Sequence, residues 1–131
     1  MNEIKERVAR GLLAIGAVFL RPEEPFTWAS GIKSPIYCDN RLILTAPDVR
    51  GVVEAAIAET VAREFPEAEV LMGTATPGLA HAAIAAHLLG LPMGDDRHRA
   101  QDPARQNRLA RSHREGAKVI VTDDLAHTAV R

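Results

Sequence analysis

The sequence predicts an α/β domain with a largely parallel sheet flanked by helices, and three observations support that prediction. An apolar run at 70–72 leads into a glycine-containing loop at 73–78, and an alanine-rich helix is predicted over roughly 78–89. A second, β-branched run at 118–122 ends in two neighbouring acids. Strands that alternate with helices are typical of parallel sheets, in which ligands bind at the carboxyl ends of the strands.

The part of the chain before this core predicts a helix followed by a hairpin. Apolar residues recur at helical spacing over 2–16 and indicate an amphipathic helix. Two β-type runs flank a glycine-centred turn within 26–39, a segment that we call the hood. We expect one domain over 1–131, with the N-terminal helix and hood in 1–45 and a partial core in 46–131.

Three further signals concern the limits of the core elements. Thr45, Pro47 and Asp48 predict a helix start in which the threonine hydroxyl is the cap. The segment 94–116 is polar, holds six arginines and predicts a flexible loop or a weak hairpin between two strands. No covering element is predicted after the strand at 118–122, so we expect its edge and apolar face to be exposed.

Composition limits the classes of function. The chain has 131 residues, 47% of them hydrophobic, and a formal net charge of -1, so no strong attraction to nucleic acid is expected. No apolar run is long enough to cross a membrane, and the charged N-terminus lacks the apolar core of a signal peptide. Cys38 is the only cysteine, which excludes an internal disulfide and favours a cytoplasmic location.

The acid pair Asp123 and Asp124 is the first candidate for binding chemistry. Carboxylates at a strand end accept hydrogen bonds from ribose hydroxyls, and they hold a hydrated magnesium ion through water because magnesium prefers hard oxygen ligands. The alternative is a solvated strand terminus or a cap for a following helix. The sequence contains no HxxxH motif and no Cys/His cluster, which excludes a zinc site. We therefore expect no metal ion to be bound by direct protein ligation.

The loop at 73–78 is the second candidate. Backbone N–H groups of such a loop, together with the N-terminus of the following helix, can bind an anion such as pyrophosphate. A tight strand-to-helix turn explains a single short loop equally well, and Pro77 removes one N–H donor. The motif alone therefore leaves both interpretations open.

Aromatic and histidine side chains give weaker signals. Trp28 and Tyr37 carry rings that can lie over a planar base, although both can also pack within the hood. His81 and His87 lie six residues apart on the alanine-rich helix, which is not a spacing that places two metal ligands on one face. We interpret both histidines as packing or surface residues.

Residues 26–41, FTWASGIKSPIYCDNR, closely resemble the hood segment of bacterial orotate phosphoribosyltransferases. Residues 16–19, GAVF, and 73–76, GTAT, followed by Gly78, also resemble segments of that family. The resemblance implies a type I phosphoribosyltransferase fold that works as a homodimer with Mg²⁺. It implies transfer of a phosphoribosyl group from phosphoribosyl pyrophosphate to orotate, which gives orotidine monophosphate for pyrimidine biosynthesis.

The resemblance also implies roles for individual residues. Ile36 and Tyr37 would cover orotate, and the acids Asp123 and Asp124 would hold the ribose hydroxyls. Thr74, Ala75 and Thr76 would face pyrophosphate. Arg97 matches the arginine of the family's flexible loop, and Thr128 lies in the turn that would bind the ribose 5-phosphate. Arg97 would take part in catalysis beside the two acids.

The sequence departs from the family at two places. Gln101 stands where the family's flexible loop carries a catalytic lysine, and Pro103-Ala104 stand where it carries His-Gly. Ala129 and Val130 replace two glycines of the 5-phosphate turn, and the helices and strands that follow in the family are missing. A second hypothesis is therefore a catalytically impaired relative that binds ligand or dimerises.

Overall fold

The computed structural model describes residues 2–96 and 116–124. The chain divides into two compact units, of which the first holds the residues up to Val53 and the second spans Glu54–Asp124. None of the helices in the described part of the chain is long and apolar enough to cross a membrane.

The first unit begins with helix α1, Asn2–Ala14, which confirms the predicted N-terminal helix. Gly16 follows the helix with a φ of 68°, a left-handed conformation that glycine adopts without steric cost. Ala17 is fully buried directly after this turn. The chain then enters the first strand, so the glycine redirects it from helix to strand.

The hood consists of short antiparallel strands, as predicted. Strands β2, Phe26–Thr27, and β3, Lys33–Ser34, pair around a turn in which Gly31 has a φ of 83°. Strand β1, Val18–Leu20, pairs with β4, Ile36–Cys38. The sequence pattern predicted the hairpin but gave no partner for β1, because that pairing joins residues that lie far apart in the chain.

Two helices follow the hood, and the first was not predicted. Helix α2 spans Leu42–Thr45, and helix α3 spans Pro47–Glu64. The predicted helix start at Pro47 is confirmed, but Thr45 does not cap it. The hydroxyl of Thr45 donates instead to the carbonyl oxygen of Leu42, at 2.8 Å, within the preceding helix.

The second unit is built on a parallel sheet in the order β6-β5-β7. Its strands are β5, Val70–Thr74, β6, Met93–Asp96, and β7, Val119–Thr122. Helix α4, Pro77–Leu89, connects β5 to β6 and ends at Gly90, which has a φ of 67°. The α/β class and the parallel sheet are therefore confirmed. Strand β6 extends to Asp96, three residues into the segment predicted as a loop.

One face of this sheet forms the core, and the other is uncovered on β7. Leu71 is fully buried against Ala85 of α4 and Val61 of α3, and Ile120 packs on the same cluster. The neighbouring positions on β7 point the opposite way because side chains alternate along a strand. Val119 and Val121 are accordingly 37% and 52% exposed, which confirms the exposed apolar face expected for this strand.

Candidate functional site

The two candidate segments of the second unit meet at the carboxyl edge of the sheet. In the parallel register Gly73 of β5 lies beside Thr122 of β7, so Thr74 and Asp123 follow side by side. The hydroxyl of Thr74 donates to the Asp123 carboxylate oxygen Oδ1 at 2.6 Å, across 49 residues of sequence. The backbone N–H of Asp124 donates to the same oxygen at 2.9 Å. The carboxylate is thereby held in one orientation.

Two glycines allow this close approach. A Cβ atom added at Gly78 would lie 2.4 Å from the carbonyl oxygen of Thr122 and 2.6 Å from the hydroxyl oxygen of Thr74. A Cβ atom added at Gly73 would lie 2.5 Å from the carbonyl oxygen of Gly78. Both distances to backbone atoms are far below normal contact, so only glycine fits at these positions without movement of the backbone. The glycines of the loop therefore bring the first turn of α4 against the end of β7.

The loop between β5 and α4 is open to solvent. Ala75 and Thr76 are exposed, the peptide bond that joins them is cis, and Pro77 is the first residue of α4. Thr76 precedes the helix without a side-chain hydrogen bond that caps it. The first N–H groups of a helix have no acceptor within the helix, and the helix dipole is positive there. This end of α4 is therefore suited to an anion.

The acid pair places two carboxylates at the carboxyl edge of the sheet. Asp123 is exposed and Asp124 is half-buried, so the Asp123 carboxylate can accept hydrogen bonds from water or hydroxyl groups. Within residues 2–96 and 116–124, no group of three or more His, Cys, Asp or Glu side chains is placed to hold a metal ion. Magnesium characteristically keeps several of its waters and is held by one or two carboxylates together with phosphate oxygens of a substrate.

A buried pair of an acid and a histidine joins α3 to α4, and no local sequence pattern predicted it. Glu54 of α3 and His81 of α4 are 1% and 3% exposed, and Oε1 of Glu54 lies 2.5 Å from Nδ1 of His81. The hydrogen bond with Glu54 raises the pKa of His81, and the charges of Glu54 and Asp124 act in the same direction, against the opposing effect of burial. His81 is thus a packed residue, as predicted, but one with a specific acidic partner.

The second oxygen of Glu54 makes this pair costly. Among the described residues, Oε2 of Glu54 is buried without a hydrogen-bond partner. A buried polar atom without a partner typically costs about 1–3 kcal/mol. The only sequence signal for the pair is an acid within the apolar face of α3, and that pattern does not reveal the distant histidine.

The hood residues in the first unit are also partly exposed. Ile36 and Tyr37 are 44% and 40% exposed on β4, and the Tyr37 ring centroid lies 5.6 Å from that of Phe26. Trp28 is half-buried. Asp39 accepts hydrogen bonds from the Arg41 guanidinium at 2.8 and 3.0 Å, and this contact lowers the pKa of the Asp39 carboxyl.

The remaining sequence-predicted positions lie outside the described residues. They are the flexible-loop positions and the residues of the 5-phosphate turn: Arg97, Gln101, Pro103, Ala104, Thr128, Ala129 and Val130. Of the predicted site residues, the structure brings Thr74 and Asp123 into contact, with Asp124, Ala75 and Thr76 next to them in the chain.

Comparisons with known proteins identify relatives of this chain. The chain is 48% identical over 128 residues to an orotate phosphoribosyltransferase of Enterococcus faecalis and 51% identical over 125 residues to that of Bacillus subtilis. These matches cover 98% and 95% of this chain but only 61% and 58% of the two relatives. The chain therefore spans about three fifths of the length of these curated relatives. A comparison with models of protein families finds no match.

Solved structures give the same fold. The orotate phosphoribosyltransferase of Aeropyrum pernix superposes with a TM-score of 0.62 at 26% identity, over 86% of this chain and 76% of that one. The UMP synthase of Leishmania donovani superposes with a TM-score of 0.70 over 94% of this chain and 25% of that one. At 24% identity the latter match supports the fold alone.

The parallel sheet, its covering helices and the glycine loop define a protein of the type I phosphoribosyltransferase fold. Over the part that it spans, the chain is homologous to these orotate phosphoribosyltransferases. The resemblance of the hood and loop motifs to this family is thereby confirmed.

Proposed function

We propose that the protein transfers a phosphoribosyl group from phosphoribosyl pyrophosphate to orotate, giving orotidine monophosphate and pyrophosphate in pyrimidine biosynthesis. The observation that supports this proposal most directly is the contact between Thr74 and Asp123. It sets an acceptor for hydroxyl groups beside a loop and helix end suited to an anion. A sugar that carries a pyrophosphate group needs both features at one place.

In the proposed complex the ligand lies along the carboxyl edge of the sheet. The carboxylates of Asp123 and Asp124 accept hydrogen bonds from the ribose hydroxyls, and the Thr74 hydroxyl holds Asp123 in position. The pyrophosphate lies against the loop residues Ala75 and Thr76 and the N-terminus of α4. Ile36 and Tyr37 of the hood contact orotate, and their exposure leaves them able to do so.

The reaction then needs placement and charge stabilisation rather than covalent help. The bond between the anomeric carbon and pyrophosphate breaks, and its electron pair leaves with the pyrophosphate. A ring nitrogen of orotate bonds to that carbon and loses its proton. The carboxylates lie near the ribose, where positive charge develops, and the end of α4 lies near the leaving group, where negative charge develops.

Magnesium is the proposed cofactor. The carboxylates of the exposed Asp123 and the half-buried Asp124 fit an ion that is bound through water. When bound, Mg²⁺ supplies a positive charge that neutralises the pyrophosphate oxygens. We also propose a cytoplasmic homodimer. The departure at Gln101 favours a second candidate, a relative that binds the same ligand but turns it over slowly, because glutamine carries no cation.

An orotate consumption assay tests the proposal. The purified protein is mixed with orotate, phosphoribosyl pyrophosphate and Mg²⁺, and the absorbance of orotate is followed at high enzyme concentration. We expect a slow loss that Asp124→Asn abolishes and that His87→Asn, at the exposed end of α4, leaves unchanged. Binding of phosphoribosyl pyrophosphate without turnover would support the second candidate. Neither binding nor turnover in a folded sample would contradict both.

A further inference from the structure

The Glu54–His81 pair has no place in the proposed chemistry, although it is the most buried polar contact among the described residues of the second unit. Oε1 of Glu54 and Nδ1 of His81 lie 2.5 Å apart, and both side chains are almost fully buried. The pair joins α3 to α4 across 27 residues of sequence. Aliphatic residues of the same two helices, such as Val61 of α3 and Ala82 of α4, are also buried.

Stability alone does not account for this pair. Replacing a buried ion pair with apolar side chains of similar volume is often neutral or stabilising, because removing two charges from water is costly. Among the described residues, Oε2 of Glu54 also lacks a partner. A hydrogen bond nevertheless has a direction, which an aliphatic contact lacks. The pair therefore fixes the rotation of α4 about its axis and its position along that axis relative to α3, whereas an apolar contact would permit several arrangements.

The position of His81 on α4 links the pair to the candidate site. His81 comes three residues after Gly78, whose backbone packs against the carbonyl oxygen of Thr122 at the end of β7. Residues three apart on a helix lie on the same side. The charge of Asp124 also acts on the His81 imidazole, which agrees with a location behind the acid pair. A shift of His81 would therefore move the first turn of α4 and the loop that precedes it.

We infer that Glu54 and His81 form a positioning pair, which holds the first turn of α4 so that the loop at 73–78 is shaped for a diphosphate. This inference rests on the proposed function. Neither residue contacts the ligand. The pair acts through the backbone of α4, so its loss should weaken binding of the diphosphate group more than it weakens the fold.

Matched substitutions at His81 test the inference. The side-chain nitrogen of asparagine overlaps Nδ1 of histidine, whereas that of glutamine overlaps Nε2. His81→Asn therefore keeps the donor to Glu54, and His81→Gln loses it. Calorimetry with inorganic pyrophosphate and Mg²⁺, well below the melting temperature, should give about tenfold weaker binding for His81→Gln, the size of effect expected when one hydrogen bond is lost. His81→Asn and the control His87→Asn should bind within about twofold of wild type.

The outcomes separate the inference from the proposed function. Wild-type protein that binds neither pyrophosphate nor phosphoribosyl pyrophosphate would overturn both. If wild type binds and folded His81→Gln binds equally well, the positioning role is wrong and the proposed function stands. If the His81 variants do not fold, Glu54→Gln gives the test, because its amide oxygen still accepts from Nδ1. Its affinity should stay within about twofold of wild type, and a tenfold loss in the folded variant would contradict the inference.

Discussion

Replacing Gly78 with alanine should destabilise the sheet edge that carries the candidate site. The new Cβ atom would lie 2.4 Å from the carbonyl oxygen of Thr122 and 2.6 Å from the hydroxyl oxygen of Thr74. The first of these is a backbone atom in β7, so the clash cannot be relieved by a side-chain rotation. The first turn of α4 must move away from β7, and the contact between Thr74 and Asp123 must loosen with it.

The size of the effect follows from the geometry. Inserting a methyl group into a closely packed site typically costs about 1–3 kcal/mol. At about 4 °C per kcal/mol for a chain of this size, the melting temperature should fall by about 4 to 12 °C. Thermal unfolding followed by circular dichroism gives this value, and calorimetry with phosphoribosyl pyrophosphate should show weaker binding in the same variant.

Gly51→Ala is the matched control for Gly78→Ala. Gly51 lies in the interior of α3, and among the described residues no atom outside the adjacent helix backbone lies within 4 Å of a Cβ placed there. The same substitution should therefore stabilise the protein by about 0.5–1 kcal/mol, because alanine favours the helix. A melting temperature of Gly78→Ala at or above that of wild type would refute the claim that the loop packs against β7.

Three other predictions concern the site and its surroundings. Thr74→Val removes the hydroxyl that donates to Asp123 and should weaken binding of phosphoribosyl pyrophosphate by about tenfold in calorimetry. The control Thr60→Val on α3 should leave the affinity unchanged. Equal affinities of the two variants would contradict the role of Thr74. Gln101→Lys should raise the rate of orotate consumption by about a hundredfold, whereas Gln106→Lys, which adds the same charge nearby, should not; equal rates would contradict the assignment of this position. The folded state raises the pKa of His81 above its ordinary value of 6.5, so this group stabilises the protein fully below that value and loses the effect as pH rises through the raised pKa. The difference in melting temperature between wild type and His81→Asn should therefore decrease from pH 5.5 to 9, and a difference that grows with pH would contradict this sign.

Local sequence patterns predicted most of the elements because each depends on nearby residues. The spacing of apolar residues indicated α1, and a start signal indicated α3. An apolar run indicated β5, and a β-branched run indicated β7. Helix α2, Leu42–Thr45, was missed because four residues are too few to show a helical period. Strand β6 continues through Asp95 and Asp96 because they pair with Gly73 and Thr74 in the parallel ladder. Their low strand propensity gave no indication of this pairing.

The sequence predicted those contacts of the candidate site that follow from the order of the strands. It did not predict the contacts that depend on residues far away in the chain. Parallel strands bring their carboxyl ends to one edge, so the proximity of Thr74 and Asp123 followed from the order of elements alone. The need for glycine at Gly78 follows from the backbone of β7, which is more than forty residues away in the chain. The burial of Glu54 depends likewise on His81, and the local pattern around Glu54 contains no sign of that partner.

The most direct test of the central claim is a titration of isotopically labelled protein with phosphoribosyl pyrophosphate and Mg²⁺, followed by the backbone amide signals in two-dimensional NMR spectra. If the ligand lies along the carboxyl edge of the sheet, the largest shifts should occur at Thr74, Ala75, Thr76, Asp123 and Asp124. Exposed amides at the far end of α4, near Leu88, should remain unchanged. Shifts confined to other surfaces, or no shifts at saturating ligand, would contradict the proposal that this edge binds a phosphorylated sugar.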